Sequence, residues 1–219
     1  MSYFFFRFGA LYNGLVSYWS FSNNVKDSIG TADLFNGSNA NFYYDRLNNP
    51  NSSLDLKNGF FQIPSGSFFT EAFTFSAWVF VRSTKNFSRV IELSAGPDNA
   101  MVSLILSDGD DNKPFVQIIN DNDKNRWISY GVEKLKLNKW THLVGTFDGT
   151  FLNMYINTEL VSRIVALKPK KADVRTNNFI GGSVRPGEGE YADALFDDIR
   201  IYNRALNEAE IQNLYSLII

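Results

Sequence analysis

Carboxylates are the side chains of this 219-residue chain most able to carry chemistry, and they come in clusters. Asp197 and Asp198 are adjacent, Glu188-Gly189-Glu190-Tyr191-Ala192-Asp193 holds three acids in six residues, and two loops read Asp108-Gly109-Asp110-Asp111-Asn112 and Asp121-Asn122-Asp123-Lys124-Asn125. Both loops open as D-x-D-x-N, the start of a calcium loop. Neither continues as one. The sixth positions are Lys113 and Arg126 instead of glycine, and the twelfth are Ile119 and Val132 instead of glutamate, so both read as polar hairpin loops. The single histidine, His142, sits in a run of strand-formers with no acid or nucleophile organised around it, which makes it structural. Cysteine is absent, excluding disulfides, thiolate catalysis and cysteine-ligated zinc. For a sugar ligand, whose apolar ring faces stack on aromatics, Trp127 and Tyr130 beside Asn125 and Arg126 are the local candidates, with sheet packing as the plainer role for Trp127.

Short strands must position these groups. Runs rich in β-branched and aromatic residues, separated by Gly, Asn, Asp and Pro clusters, place strands at Leu15–Phe21, Phe60–Ile63, Phe73–Val81, Arg89–Leu93, Val102–Leu106, Phe115–Ile119, Arg126–Tyr130, Thr141–Phe147, Phe151–Ile156, Leu160–Val165, Asn178–Gly181 and Leu195–Tyr202. Asn36–Ser53 reads as a long irregular loop. In Phe73–Val81 both alternating faces carry bulky apolar residues, as expected of a central strand covered on both sides. Asp197-Asp198 interrupts the alternation of the last strand and predicts a bulge. One helix closes the chain over residues 207–218: Asn207 is its N-cap, Glu210 completes a capping box, and Leu206 with Ile211 forms a hydrophobic staple. Its apolar face is expected to dock on the sandwich and seal one end of the core. Truncation after Arg204 should therefore destabilise the fold.

Composition sets wider bounds. With 44% hydrophobic and 16% aromatic residues, residues 1–219 can bury one substantial core as a single domain. A net charge of −2 gives no basic field for nucleic acid, and no apolar run is long enough to span a membrane as a helix. Residues 1–13 read as an N-terminal strand or arm; Met1–Ala10 lacks a basic leader and a small-residue cleavage site, so no signal peptide is visible.

Several segments together resemble one family. Tyr18-Trp19-Ser20-Phe21 with Asp27-Ser28-Ile29-Gly30, then Phe73–Val81 (FTFSAWVFV), Trp140–Gly149 (WTHLVGTFDG) with Phe151–Asn157 (FLNMYIN), and finally Ala194–Tyr215 follow in order the motifs of LamG-like jelly rolls of the concanavalin A-like lectin/glucanase group. The resemblance implies an all-β fold: a jelly-roll sandwich of two antiparallel sheets with a short C-terminal helix. It also implies a non-enzymatic recognition or adhesion module for a carbohydrate or protein ligand, in an extracellular or surface-exposed setting. The alternative is an architectural subunit or surface decoration of a larger assembly such as a virion, with homo-oligomers in view. A glycoside hydrolase ranks third, because relatives with that activity carry E-x-D-x-x-E on one strand, whereas the run from Glu188 to Asp193 has another order and lies in a Gly/Pro-rich stretch. In such domains a calcium ion can tie the loop after the first strand to the last strand. The matching residues are Asp27 and the Asp197-Asp198 pair, with Asp198 facing the ion and Asp197 facing solvent. Ser22 stands where many relatives have a further aspartate. The plainer reading has Asp27 making a turn and Asp198 pairing with Arg200 or Arg204.

Overall fold

The structure, a computed structural model, describes residues 11–97, 99–121, 125–170, 174–185 and 191–217. The described residues form thirteen strands: β1 (Leu15–Trp19), β2 (Phe35–Tyr43), β3 (Ser53–Ile63), β4 (Phe73–Val81), β5 (Arg89–Ser94), β6 (Met101–Ile105), β7 (Phe115–Ile119), β8 (Arg126–Tyr130), β9 (Trp140–Phe147), β10 (Phe151–Ile156), β11 (Glu159–Val165), β12 (Asn177–Ile180) and β13 (Ala192–Tyr202). The helix α1 follows at Glu208–Ser216. All strand pairings are antiparallel, and they run in the order β11-β10-β9-β4-β13-β3-β12-β5-β6-β7-β8. The long strand β3 pairs with β13 through its first half and with β12 through its last residues, so it links two layers. Across the core β10 and β11 meet β8, β10 meets β7, and β5 meets β4 and β13. This is the two-layered antiparallel sandwich expected from the strand pattern.

Alternation decides what fills it. Phe73, Phe75, Ala77 and Val79 of β4 point inward with Phe196, Ile199 and Ile201 of β13, all fully or almost fully buried. The opposite face of β4 is covered too, since Thr74, Ser76 and Trp78 are also buried. That second cover includes α1. Ile211 and Leu214 pack with Leu206 onto Val144 of β9, Tyr155 of β10 and Tyr202 of β13, forming a separate apolar cluster joined by Leu11. The helix therefore lies on the outward face of one sheet and does not seal an end of the main core, a correction to the expected docking. Alternating strands leave an apolar patch on that outer face, and the amphipathic helix covers the patch.

Two further expectations change. The loop expected over residues 36–53 contains β2, a strand that hydrogen-bonds only to β3 among the described residues. Asn36 and Asn39 adopt positive φ where its register slips, a conformation asparagine tolerates better than most residues. At the start of the described chain Leu11–Tyr12 are helical rather than extended, while residues 1–10 of the expected arm lie outside the described residues.

Candidate functional site

The Asp197-Asp198 pair sits where β13 changes partners. Through Phe196 the strand pairs with β3, from Ile199 it pairs with β1, and against β4 the register slips between Asp197 and Arg200. Asp198 is the inserted residue and has φ +54°. This bulge keeps Phe196, Ile199 and Ile201 inward while turning both carboxylates toward one guanidinium. Arg46 ion-pairs with Asp197, contacts Asp198 Oδ2 at 2.7 Å, donates to the Leu217 carbonyl at 3.0 Å and stacks over Trp78. Asp197 is thus buried, not solvent-facing as expected from regular alternation. Asp198 Oδ1 accepts from the Tyr18 hydroxyl at 2.5 Å and from Arg200 Nη2 at 3.0 Å, and Arg200 lies over the Tyr18 ring. Burial and the neighbouring Asp198 push the Asp197 carboxyl up, with Arg46 opposing. For Asp198 burial acts upward but is outweighed by Arg200 and Arg46, which hold its carboxyl low.

Asp27 is fastened differently. Its Oδ1 accepts from the backbone N–H groups of Tyr18, Ile29 and Gly30 at 3.0, 3.1 and 3.0 Å, and its Oδ2 from that of Ala32 at 3.2 Å. Gly30 permits this approach, because a Cβ there would lie 2.7 Å from both Asp27 Oδ2 and the Val16 carbonyl. Asp27 folds the loop after β1, Asp198 is neutralised by arginines, and Tyr18 touches both through its N–H and its hydroxyl. These donors do not fit calcium. A cation would displace four backbone amides at one end and meet two guanidiniums at the other. Among the described residues no group of three or more acidic or histidine side chains is placed to hold a metal ion. Asp108 accepts from the Lys113 N–H and Asp111 pairs with the Lys113 amine, closing the first polar hairpin loop, while Asp121 pairs with Lys170.

His142 lies beside this network. Its Nε2 is 2.8 Å from the Ser76 hydroxyl, its ring packs 5.1 Å from Trp78, and Tyr215 of α1 covers both rings. Burial, reinforced by Arg200 and Arg46, pulls the imidazole down to about 3, so it is neutral. A serine next to a histidine suggests nucleophilic chemistry, but both residues are buried and Nδ1 has no hydrogen-bond partner to orient the base. Neither the groove beside α1 nor the small cavity at Glu133–Lys136 is lined by Ser76 or His142.

The expected sugar-stacking residues diverge. Trp127 and Tyr130 are an odd number of positions apart on β8, so Trp127 packs against the main core while Tyr130 stands 40% exposed on the other face against Phe115. Asn125 is exposed before the strand, and Arg126 lies half-buried opposite Ile119. The four do not converge on one surface. Glu188 and Glu190 lie outside the described residues.

A different place does converge. Between α1 and the outer face of β9–β11 runs a groove of about 680 Å³ whose lining includes Thr146, Asn153, Tyr155, Arg163, Asp148 and Gln212. Thr146, Asn153 and Arg163 occupy one rung across three strands. Their side chains are linked: Asn153 Nδ2 donates to Thr146 Oγ1 at 3.0 Å, and Arg163 Nε donates to Asn153 Oδ1 at 2.8 Å. Thr146, Asn153 and Tyr155 are buried and form a floor, while exposed Arg163 lies over the Phe151 ring. Asn207, Glu208 and Gln212 of the capped helix start make the other wall. The one hint in the sequence is Asn153 and Tyr155, polar-tipped residues alternating in an otherwise apolar strand.

The two-layered antiparallel sandwich with its short C-terminal helix is a concanavalin A-like jelly-roll fold. Residues 55–212 match the laminin G family described as the concanavalin A-like lectin/glucanases superfamily, and the chain belongs to that family. None of the curated proteins compared with the chain matches it. Among solved structures, domain 4 of AbnA, an extracellular arabinanase from Geobacillus stearothermophilus in complex with arabinotriose, is similar over 92% of this chain and 98% of its own, with a TM-score of 0.78 at 18% identity. The binding domain of botulinum neurotoxin DC in complex with SialylT aligns with 94% of this chain at 13% identity and a TM-score of 0.67. A Trypanosoma rangeli sialidase aligns with 92% at 21% identity and a TM-score of 0.62. This chain spans about half of the toxin domain and about a third of the sialidase. At these identities the likeness is one of fold.

Proposed function

We propose that the protein is a non-catalytic recognition module that binds a carbohydrate in the groove between α1 and β9–β11. The observation that carries this reading is the linked rung of Thr146, Asn153 and Arg163 beside the Tyr155 ring, facing Gln212 across the groove. It offers fixed donors and acceptors on a rigid sheet, which is how a protein surface holds sugar hydroxyls. Support also comes from the fold's use in solved complexes with sugars, arabinotriose in one and SialylT in another. For catalysis the groove is poorly equipped. Asp148 already accepts two amides of its own turn, from Thr150 and Phe151, and both it and Glu208 stand in solvent, away from the apolar surroundings that a glycosidic general acid uses.

The test is an immobilised glycan array probed with the wild type and with Gln212→Ala, an exposed helix residue whose loss leaves the core intact. Binding of one glycan class, weakened about tenfold by Gln212→Ala at the roughly 1.4 kcal/mol of one good hydrogen bond, is the expected result. Silence on every glycan would overturn the reading.

A further inference from the structure

The groove's charge and hydrogen-bonding groups also select among sugars. Its ionised side chains are Asp148 and Glu208 against Arg163. The nearby Glu210 is matched by Arg204, whose Nη2 lies 2.7 Å from Glu210 Oε1 and whose Nη1 lies 2.8 Å from Oε2. Arg163 has committed Nε to Asn153 and its face to Phe151, and Glu208 stands in the first turn of α1, where it offsets the positive end of the helix dipole. A ligand carboxylate entering here would meet two carboxylates and one partly engaged guanidinium. Tyr155 adds the remaining element. The residue is buried in the cluster beneath α1, yet its hydroxyl makes no hydrogen bond among the described residues, and it lines the groove. Burial, with Glu208 next, pushes the phenol up, so it stays a neutral donor.

Resting on the reading of the groove as a glycan site, we infer that it takes neutral, hydroxyl-rich sugars and discriminates against uronic and sialic acids, with the Tyr155 hydroxyl as the central donor and Asp148 and Glu208 as acceptors. The arrangement is a selectivity device: sugar hydroxyls satisfy carboxylate acceptors that a charged sugar would repel. Three exposed or shallow groups set the charge preference, whereas Tyr155 sets the depth to which a sugar ring is drawn.

The experiment measures affinities for matched pairs that differ only in an acid: lactose and 3′-sialyllactose, glucose and glucuronic acid, xylotriose and its glucuronosyl derivative. The expected result is that every ligand bound is neutral, with at least tenfold preference over its acidic partner. Tyr155→Phe, which removes one oxygen and keeps the packed ring, should weaken binding about tenfold with an unchanged melting temperature. Asp148→Asn combined with Glu208→Gln should shrink the preference severalfold. Acidic members bound more tightly, with binding lost in Tyr155→Phe, would overturn the inference while leaving the groove a glycan site. Neutral binding unaffected by Tyr155→Phe would overturn the role of the hydroxyl. Absence of binding to every member and to the wider array would bring down both this inference and the reading beneath it.

Discussion

His142 shows how one side chain reports on the surface that covers it. Its imidazole is fully buried between Trp78 and Tyr215 and shares one hydrogen bond with Ser76, and burial together with the charges of Arg200 and Arg46 disfavours the protonated form. A histidine held below its ordinary value stabilises the fold above the unfolded value near 6.5, and that stability drains away as pH falls toward about 3, because the unfolded chain takes up a proton that the folded chain refuses. The chain has one histidine, so its ring protons are unambiguous in a proton NMR spectrum. They should not shift between pH 7.5 and 5 by the stated positions of the two states, and a titration near 6.5 would show that the covering layer of Arg46 and Tyr215 is not in place. That this histidine lies within a strand was legible in the sequence, but its serine neighbour was not. Ser76 and His142 lie on neighbouring strands, and only the register that sets Trp78 opposite His142 brings the two side chains together.

At the scale of elements the closing helix is the most informative case. Its start was readable residue by residue: Asn207 accepts from the Glu210 N–H, and Glu210 Oε2 accepts from the Asn207 N–H. Such caps are local, so sequence displays them. Where the helix docks is a tertiary fact, decided by the apolar outer patch of Val144, Tyr155 and Tyr202 from three separate strands. The strand β2 shows the same boundary from the other side. Its run of Gly, Ser and Asn has little strand preference of its own, and pairing with β3 imposes the extended form. Asp197 follows suit, since a bulge was foreseeable from the doubled carboxylate but its effect on facing depends on the partner change at Phe196 and Ile199. Because α1 covers an outer face, its loss should expose that patch without emptying the main core. Ile211→Ala is expected to cost about 2–5 kcal/mol in a denaturant titration and Asn207→Ala about 1 kcal/mol. Truncation after Arg204 should in addition abolish glycan binding, since one wall of the groove goes with the helix. A truncated chain with an unchanged melting temperature would refute the docking of α1.

Across the whole molecule, the same residues that give the sandwich its outer cover also tie distant parts of the chain together. Arg46, held on a loop folded by Asp45 accepting from the Leu47 and Asn49 amides, reaches Asp197 and Asp198 of the last strand and the carbonyl of Leu217 after the helix. Tyr18 joins that cluster to the Asp27 loop. A calcium ion was the expected tie; the contacts present are made by guanidiniums and backbone amides, which supply positive charge and N–H donors where a metal would need vacant oxygens. Two consequences separate these arrangements. In metal-stripped protein, added calcium should leave the melting temperature where it was, because an ion stabilises only by binding the folded state more tightly than the unfolded one. Arg46→Met should lower it sharply, with a stability loss on the order of 3–5 kcal/mol, since two buried carboxylates then lose the cation that they share. If calcium instead raised the wild-type melting temperature in proportion to the logarithm of its concentration, and Asp198→Asn removed that response, the ion-pair account of this cluster would be wrong. A response surviving Asp198→Asn would put the ion elsewhere. Arg46 is the discriminating residue, because a calcium-tied sandwich would tolerate its loss in the presence of the metal and an arginine-tied one would not.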